Sequence, residues 1–427
     1  MGNAGILLGG KALNAVLNIA GVALTARALG VETFGVLILI HAYVQTVGEM
    51  VKFQSWQVIL NYGTVQFAEG RFGAFQQVLR FSLALDAISG IVAMLAALIG
   101  IWLIGSGLGW PEARQGAVAL YALSIFFMVS ATPTGVLRLT DRFDLLALQS
   151  AVEAWIKLMG AAWAWYSGAG LLAFLAIWFV AKVLAFLYLF GASARELKKR
   201  GALAGFALRS PQALVPPLPG LWAFVWSTNL NSSLGLAFSQ AGTLMVGALM
   251  GPREAALYRV AKQVADAVAK PAKLIVPALY PELARLALAG ERAPLRKLIL
   301  QLALAAGGIA SVLLLVVSLL GGAALTLLIG PEFAAAEPVM LWLLTAAVVS
   351  LWAVPLEPLL MSTGGASAAF KMRLAITLVF LPLLYQAIVE QGLRGAGMAA
   401  VGGAALLLLG QLWLVWRWFS KPPLSAP

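Results

Sequence analysis

Residues 257–286 read LYRVAKQVADAVAKPAKLIVPALYPELARL, and between positions 259 and 273 five side chains are ionised: Arg259, Lys262, Asp266, Lys270 and Lys273. On a helix that advances about 100° per residue, these five fall inside an arc of roughly 80°. A stripe of four cations and one acid is chemistry for attracting an anion, and pyrophosphate or an acidic sugar is the membrane-associated anion of suitable size. A charge at the centre of a bilayer costs about 2.5–3.5 kcal/mol, so four cations facing lipid would cost on the order of 10 kcal/mol. The stripe is therefore expected to face protein or water. A blander arrangement lets Arg259 and Lys273 snorkel from the helix ends while Asp266 pairs with Lys262 and Lys270 one turn away. A surplus of positive charge survives even then.

Other segments carry similar faces. In the second apolar segment His41, Gln45, Glu49, Lys52 and Trp56 share one side; in the first, Lys11, Asn14, Asn18 and Thr25 do; in the seventh, Asn229, Ser233, Gln240 and Thr243 do. These faces are expected to converge on one central cavity, with Arg259, Lys262, Lys270, Lys273, Lys182, Lys157, Lys11 and Lys52 as its cations. Glu153 and Lys157 have the spacing of an intrahelical ion pair, which neutralises charge as readily as it binds substrate. Lys182 has no acid within a turn on its own helix and is the better cavity cation. Asp86 and Glu357, acids at membrane depth, are candidates for a coupling proton or cation. Asp266, Glu49, Glu153, Asn14, Asn18, Gln45, Asn229 and Gln240 complete the polar set. His41, the single histidine, suits either proton coupling or a satisfied structural role. Pro271, Pro277, Pro355 and Pro358 are expected to break helices beside the polar faces, although proline is frequent in membrane helices anyway.

The elements that must hold these residues are membrane spans. Of 427 residues, 62% are hydrophobic and 11% charged, with a mean hydropathy of +0.92. Apolar runs of about 20 residues recur along the chain. About twelve spans are expected, near 4–27, 35–60, 79–105, 116–139, 145–167, 170–192, 221–250, 255–279, 297–321, 337–361, 370–389 and 396–418. Tryptophans 110, 222, 416 and 418 fall near segment ends, at headgroup level. The N-terminus runs into the first span without a cleavage pattern and is expected to be retained helix. With both termini cytoplasmic, 17 Lys and Arg lie inside and 5 outside, which absorbs most of the +12 charge.

The fold class is thus all-α integral membrane, two six-helix lobes with pseudo-twofold symmetry along the membrane normal. Residues 1–192 form the N-terminal lobe, 193–220 a basic, proline-rich cytoplasmic linker, and 221–427 the C-terminal lobe. Repeats support the division: WPE at 110–112 answers GPE at 330–332, LGVETFG at 29–35 answers MGPREAA at 250–256, and Pro133 answers Pro355, all at offsets of 220–222. Similar Gly-Pro turns are the competing explanation. An even number of spans gives both halves one orientation.

No enzyme motif, metal-ligand cluster or phosphate-cradling glycine loop stands out, there is no cysteine, and one histidine supports no ordinary triad. Neither cofactor nor metal is expected, nor nucleic-acid binding.

At ARALGVETFG (26–35), PTGVLRLTDRFDLLAL (133–148) and GPREAALYRVAKQVADAVAKPAKLIVPALYPELARL (251–286), the chain resembles the polysaccharide transporter branch of the multidrug/oligosaccharidyl-lipid/polysaccharide exporter superfamily, the Wzx-type flippases. The resemblance implies a bacterial inner-membrane protein that moves undecaprenyl-pyrophosphate-linked oligosaccharide from the inner to the outer leaflet, for O-antigen, capsule or exopolysaccharide assembly. Its implied partners are that anionic lipid, membrane lipids and polysaccharide polymerase or assembly proteins, and a monomer is expected. Two further spans usual in lipid II flippases are missing, and basic rather than acidic cavity groups run against a cationic-drug exporter. A cation-coupled multidrug exporter of the same fold and a non-transporting scaffold for glycan assembly are the rival readings.

Overall fold

The computed structural model describes residues 2–105, 112–207, 215–216, 218–288, 291–362 and 365–420. Among them the chain is helical, with no strand. The first helix, α1 (Gly2–Val51), contains 50 residues and is broken at Gly30, whose φ of 69° and ψ of 167° only glycine adopts without strain. The last, α15 (Ala366–Phe419), contains 54 and is broken at Gly392 with φ 58°. Each would run about 75–80 Å at 1.5 Å per residue, more than twice the ~30 Å hydrocarbon core, so each makes two passes.

The remaining passes follow in order. They are α4 (Phe72–Ile104), a broken span of α5 (Glu112–Ala122), α6 (Ser124–Met128) and α7 (Ala131–Leu139), then α8 (Phe143–Tyr166), α9 (Leu171–Lys199), α10 (Leu221–Met250), α11 (Pro252–Leu288) and α12 (Arg292–Leu328). A second broken span comprises a 3₁₀ turn (Pro331–Ala336), α13 (Glu337–Trp352) and α14 (Leu356–Ser362). The fold is the twelve-helix, two-lobed membrane architecture expected from the hydropathy pattern. The second pass continues beyond α1 through α2 (Ser55–Val58), a π-turn (Ile59–Gly63) and α3 (Thr64–Ala68). Here the pattern misleads: the span expected at 35–60 is interrupted at residues 52–54.

Burial separates the passes. Only 11% of the most apolar window of α8, and of α12, is buried, against 56% for Leu17–Ala68 and for Pro331–Leu360. Leu319 and Leu327 on α12 are 76% and 75% exposed. In water such a surface would aggregate; in hydrocarbon it costs nothing.

Two compact units divide the chain, Met1–Leu29 with Val36–Gln240, and Gly30–Gly35 with Ala241–Pro427. The first thus takes in most of α10. Within the second, the Val31 N–H donates to Glu332 Oε2 at 3.1 Å and Phe34 meets the edge of Phe333 at 6.0 Å. Gly35 lies so close to the Pro252 carbonyl that a Cβ would collide with it. The two turns matched by sequence repeat, 29–35 and 250–256, therefore meet at a glycine.

The expected linker begins later than its composition suggests. Residues 193–199 continue α9, and Glu196 there accepts Arg142 at 2.6 Å and Lys199 at 3.1 Å. The Arg142 guanidinium, also bound to Asp144, is held above its ordinary pKa first by that hydrogen bond and then by both carboxylates, against desolvation. Helix α11 also corrects an expectation: its backbone stays helical through Pro271 and Pro277, whereas Pro355 does sit in a break, at 353–355.

Candidate functional site

The first unit gathers charge at the α8–α9 hairpin. A turn at 167–170, with Gly168 at φ 66°, reverses the chain so that α9 runs back along α8. Close approach is possible because Gly160 presses on Ile177, where a Cβ would strike the side chain. This register brings residue 182 opposite residue 153, roughly 20 Å along the helix from the turn. Glu153 Oε1 receives Lys157 at 2.7 Å from its own helix and Lys182 at 2.8 Å from the next. The three side chains are 17%, 18% and 21% exposed. Lys182 therefore does have an acid, supplied by packing rather than by its own helix.

Aromatic groups adjoin this trio. Lys157 Nζ lies over the Trp178 ring at 5.1 Å, and His41 from α1 meets the same indole edge-on at 4.8 Å. His41 Nδ1 is 2.8 Å from the hydroxyl of Tyr121, which is 3% exposed on α5. Four helices thus contribute to one cluster: two ammonium groups, one carboxylate, an imidazole, a phenol and an indole. With Glu153 and both lysines ionised, the cluster keeps one positive charge, partly open to its surroundings. It can hold an anion at the lysines, while the indole, 6% exposed, is packed between Lys157 and His41.

In the second unit α11 buries an alanine face, Ala261, Ala265 and Ala269, while Arg259, Lys262 and Asp266 on the adjacent stripe are half-buried. Arg259 Nε is buried with no hydrogen-bond partner. Asp266, two turns on, is the acid whose charge reaches it. Lys270 and Lys273, like Lys11 and Asn14, lie outside the described side chains.

Lys52 is 3.6 Å from Glu49, so that face of the second span pairs internally. Gln45 and Asn18 are half-buried, and Asn229 and Gln240 are buried at 7% and 8% exposure, the latter with Oε1 unpartnered. Glu357 faces Arg373 at 3.0 Å. Asp86 is 3% exposed and accepts the Thr132 N–H at 2.8 Å. Sequence reasoning passed over Tyr121 and Trp178, which carry no charge and join the cluster only through the packing of α5 and α9.

Over 321 residues the chain is 32% identical to inner membrane protein YghQ of Escherichia coli strain K12, covering 75% of this chain and 90% of that protein. The chain belongs to the YghQ family. No protein-family profile matches it. Among solved structures, an inward-facing multidrug-resistance MATE transporter of the MOP superfamily superposes with a TM-score of 0.75 at 16% identity, over 97% of this chain and 96% of that one. The lipid II flippase MurJ in an inward-closed conformation gives 0.74 at 10% identity, over 95% and 86%. The eukaryotic MATE transporter AtDTX14 gives 0.69 at 12% identity, over 97% and 94%. This YghQ relative thus has the fold of MATE and MurJ transporters and is a multi-pass membrane protein.

Proposed function

We propose that the chain is a flippase that carries an anionic, lipid-linked oligosaccharide from the cytoplasmic to the periplasmic leaflet of the inner membrane by alternating access, with both termini cytoplasmic. The observation that carries this reading is the surplus charge at the α8–α9 hairpin, two lysines on one carboxylate at 2.7 and 2.8 Å beside the Trp178 ring. A pyrophosphate is the ligand such a cluster favours, because it accepts several charge-assisted hydrogen bonds and repays the desolvation of the cations. Arg259, with a buried Nε lacking a partner, is a second cation held ready for an anion. The fold supports the same direction, since one protein that shares it is named a lipid II flippase. The polyprenyl tail stays in lipid while the headgroup crosses, and the product feeds surface polysaccharide assembly.

Lys157→Met tests the reading cleanly. It leaves Glu153 paired with Lys182, so the fold survives while the surplus charge disappears. In a strain lacking the wild-type gene, the variant is expected to cut surface polysaccharide at least tenfold at normal protein level, with lipid-linked oligosaccharide retained in the cytoplasmic leaflet. Unchanged polysaccharide would favour a scaffold role, and a changed drug sensitivity in its place would favour a multidrug exporter; either result defeats the proposal.

A further inference from the structure

The second unit carries a groove of about 570 Å³ whose lining includes nothing from the charged stripe on α11. Pro338, Leu341, Trp342 and Thr345 of α13 form one wall, and Gln391, Arg394 and Met398 of α15 the other. The α13 positions lie three, four and seven residues apart, which places them on one helical stripe. The opposite stripe, Val339, Met340, Leu343 and Leu344, is buried at 7% exposure or less. The groove therefore opens away from the core of its own unit. Its walls come together at Gly397 of α15, where a Cβ would lie only 2.5 Å from the Trp342 Cβ.

The chain path fixes the depth of this groove. Helix α13 begins at Glu337, directly after the 3₁₀ turn, and α15 reverses at Gly392, so both walls enter the membrane from the same end. Thr345 lies seven residues beyond Pro338, about 10 Å further along the helix. The groove thus runs from headgroup level to the edge of the hydrocarbon, where Val389 and Met398 are 57% and 42% exposed. Trp342, 37% exposed, stands at the level that suits an indole. Arg394 is exposed, and no hydrogen bond or ion pair engages it among the described residues. The nearby acids are turned elsewhere: Glu337 packs against Gly322 of α12, and Glu390 accepts the Gln386 amide. One unbalanced guanidinium at headgroup depth matches a phosphodiester, which takes two parallel hydrogen bonds from it. No carboxylate lines the groove, so the ammonium of a zwitterionic headgroup would find no partner there. Headgroup hydroxyls would find two, the Gln391 amide and Thr345 Oγ1, which donates to the Leu341 carbonyl at 2.8 Å and can still accept.

We infer that the α13–α15 groove is a binding site for an anionic phospholipid with a hydroxylated headgroup, its phosphate on Arg394 and its acyl chains beside Met398. With both termini cytoplasmic, as proposed above, the lipid belongs to the periplasmic leaflet. The site itself needs no transport and is tested without any, so its failure and the failure of the flippase reading are separable. Purified full-length protein in detergent is titrated with phosphatidylglycerol and, separately, with phosphatidylethanolamine of the same chains, and the bound lipid is counted by native mass spectrometry. The first phosphatidylglycerol is expected to bind the wild type at least tenfold more tightly than the first phosphatidylethanolamine. Arg394→Gln should weaken that binding at least tenfold. Thr345→Val should narrow the preference between the two lipids. Lys198→Gln, which removes an exposed cation from the last turn of α9 in the first unit, should leave both unchanged. Equal binding of the two lipids, an undiminished adduct in Arg394→Gln, or the same loss in Lys198→Gln would overturn the site. So would displacement of the lipid by millimolar inorganic phosphate, which would make the groove a site for a free anion.

Discussion

The two units treat charge at membrane depth in opposite ways. In the first, Glu153 is shared by lysines from α8 and α9 at 2.7 and 2.8 Å. In the second, Arg259 and Asp266 stand two turns apart on α11, and Arg259 Nε has no hydrogen-bond partner. Two sequence patterns that look alike, charges four to seven residues apart on an apolar helix, therefore end in different states. Helical spacing decides which face a charge occupies; the neighbouring helix decides what it meets.

Glu153→Gln should have the largest effect on stability. Removing one partner of a fully buried ion pair costs about 3–5 kcal/mol, and here the lysines retain some solvent access, so about 2–3 kcal/mol is expected. Lys157→Met, which leaves the Lys182 pair intact, should cost far less. Thermal unfolding of the two variants measures the contrast, and equal losses would mean that Glu153 does not hold both lysines. Arg259→Met is expected to act in the other direction. Replacing a half-buried cation whose Nε lacks a partner by an apolar side chain of similar length should leave the fold as stable or slightly more so, while polysaccharide export falls if Arg259 meets the anion. A destabilised Arg259→Met would erase the difference between the units. Tyr121→Phe removes the hydrogen bond between Tyr121 and His41 and should cost about 1 kcal/mol, read as a small drop in Tm.

These contrasts show how much was legible in the sequence. The twelve passes were, because length and hydropathy are local quantities set by the bilayer. So was the stripe on α11, because periodicity alone places Arg259, Lys262 and Asp266 on one face. The break at 129–130 was, because Pro133 marks a proline-broken span; the one at 52–54 was not, since no proline or glycine announces it and the approach of Gly135 to Trp56 appears only in the packing. The pairing of Lys182 was hidden for another reason. Its acid lies 29 residues away, and finding it requires the register of the α8–α9 hairpin. Asp86 and Glu357 were indistinguishable as lone mid-span acids, yet one is 3% exposed with an unpartnered oxygen and the other meets Arg373.

That last pair yields the smallest effect and the sharpest control. Glu357 on α14 and Arg373 on α15 are 3.0 Å apart, with side chains 41% and 30% exposed. At such exposure an ion pair contributes about 0.2–1 kcal/mol, because water screens the attraction and two long side chains lose freedom to form it. Arg373→Ala should therefore lower Tm only slightly, and the difference should vanish near 1 M salt, where the screening length is about 3 Å. The Glu153→Gln loss should persist in the same salt, since lysines about four-fifths buried are screened less. If both losses fade together, the hairpin charges are as open to solvent as the α14–α15 pair, and any attraction of an anion there is screened alike. Persistence of the first beside loss of the second fixes the hairpin as a partly desolvated site, the condition under which one surplus cation binds a pyrophosphate strongly.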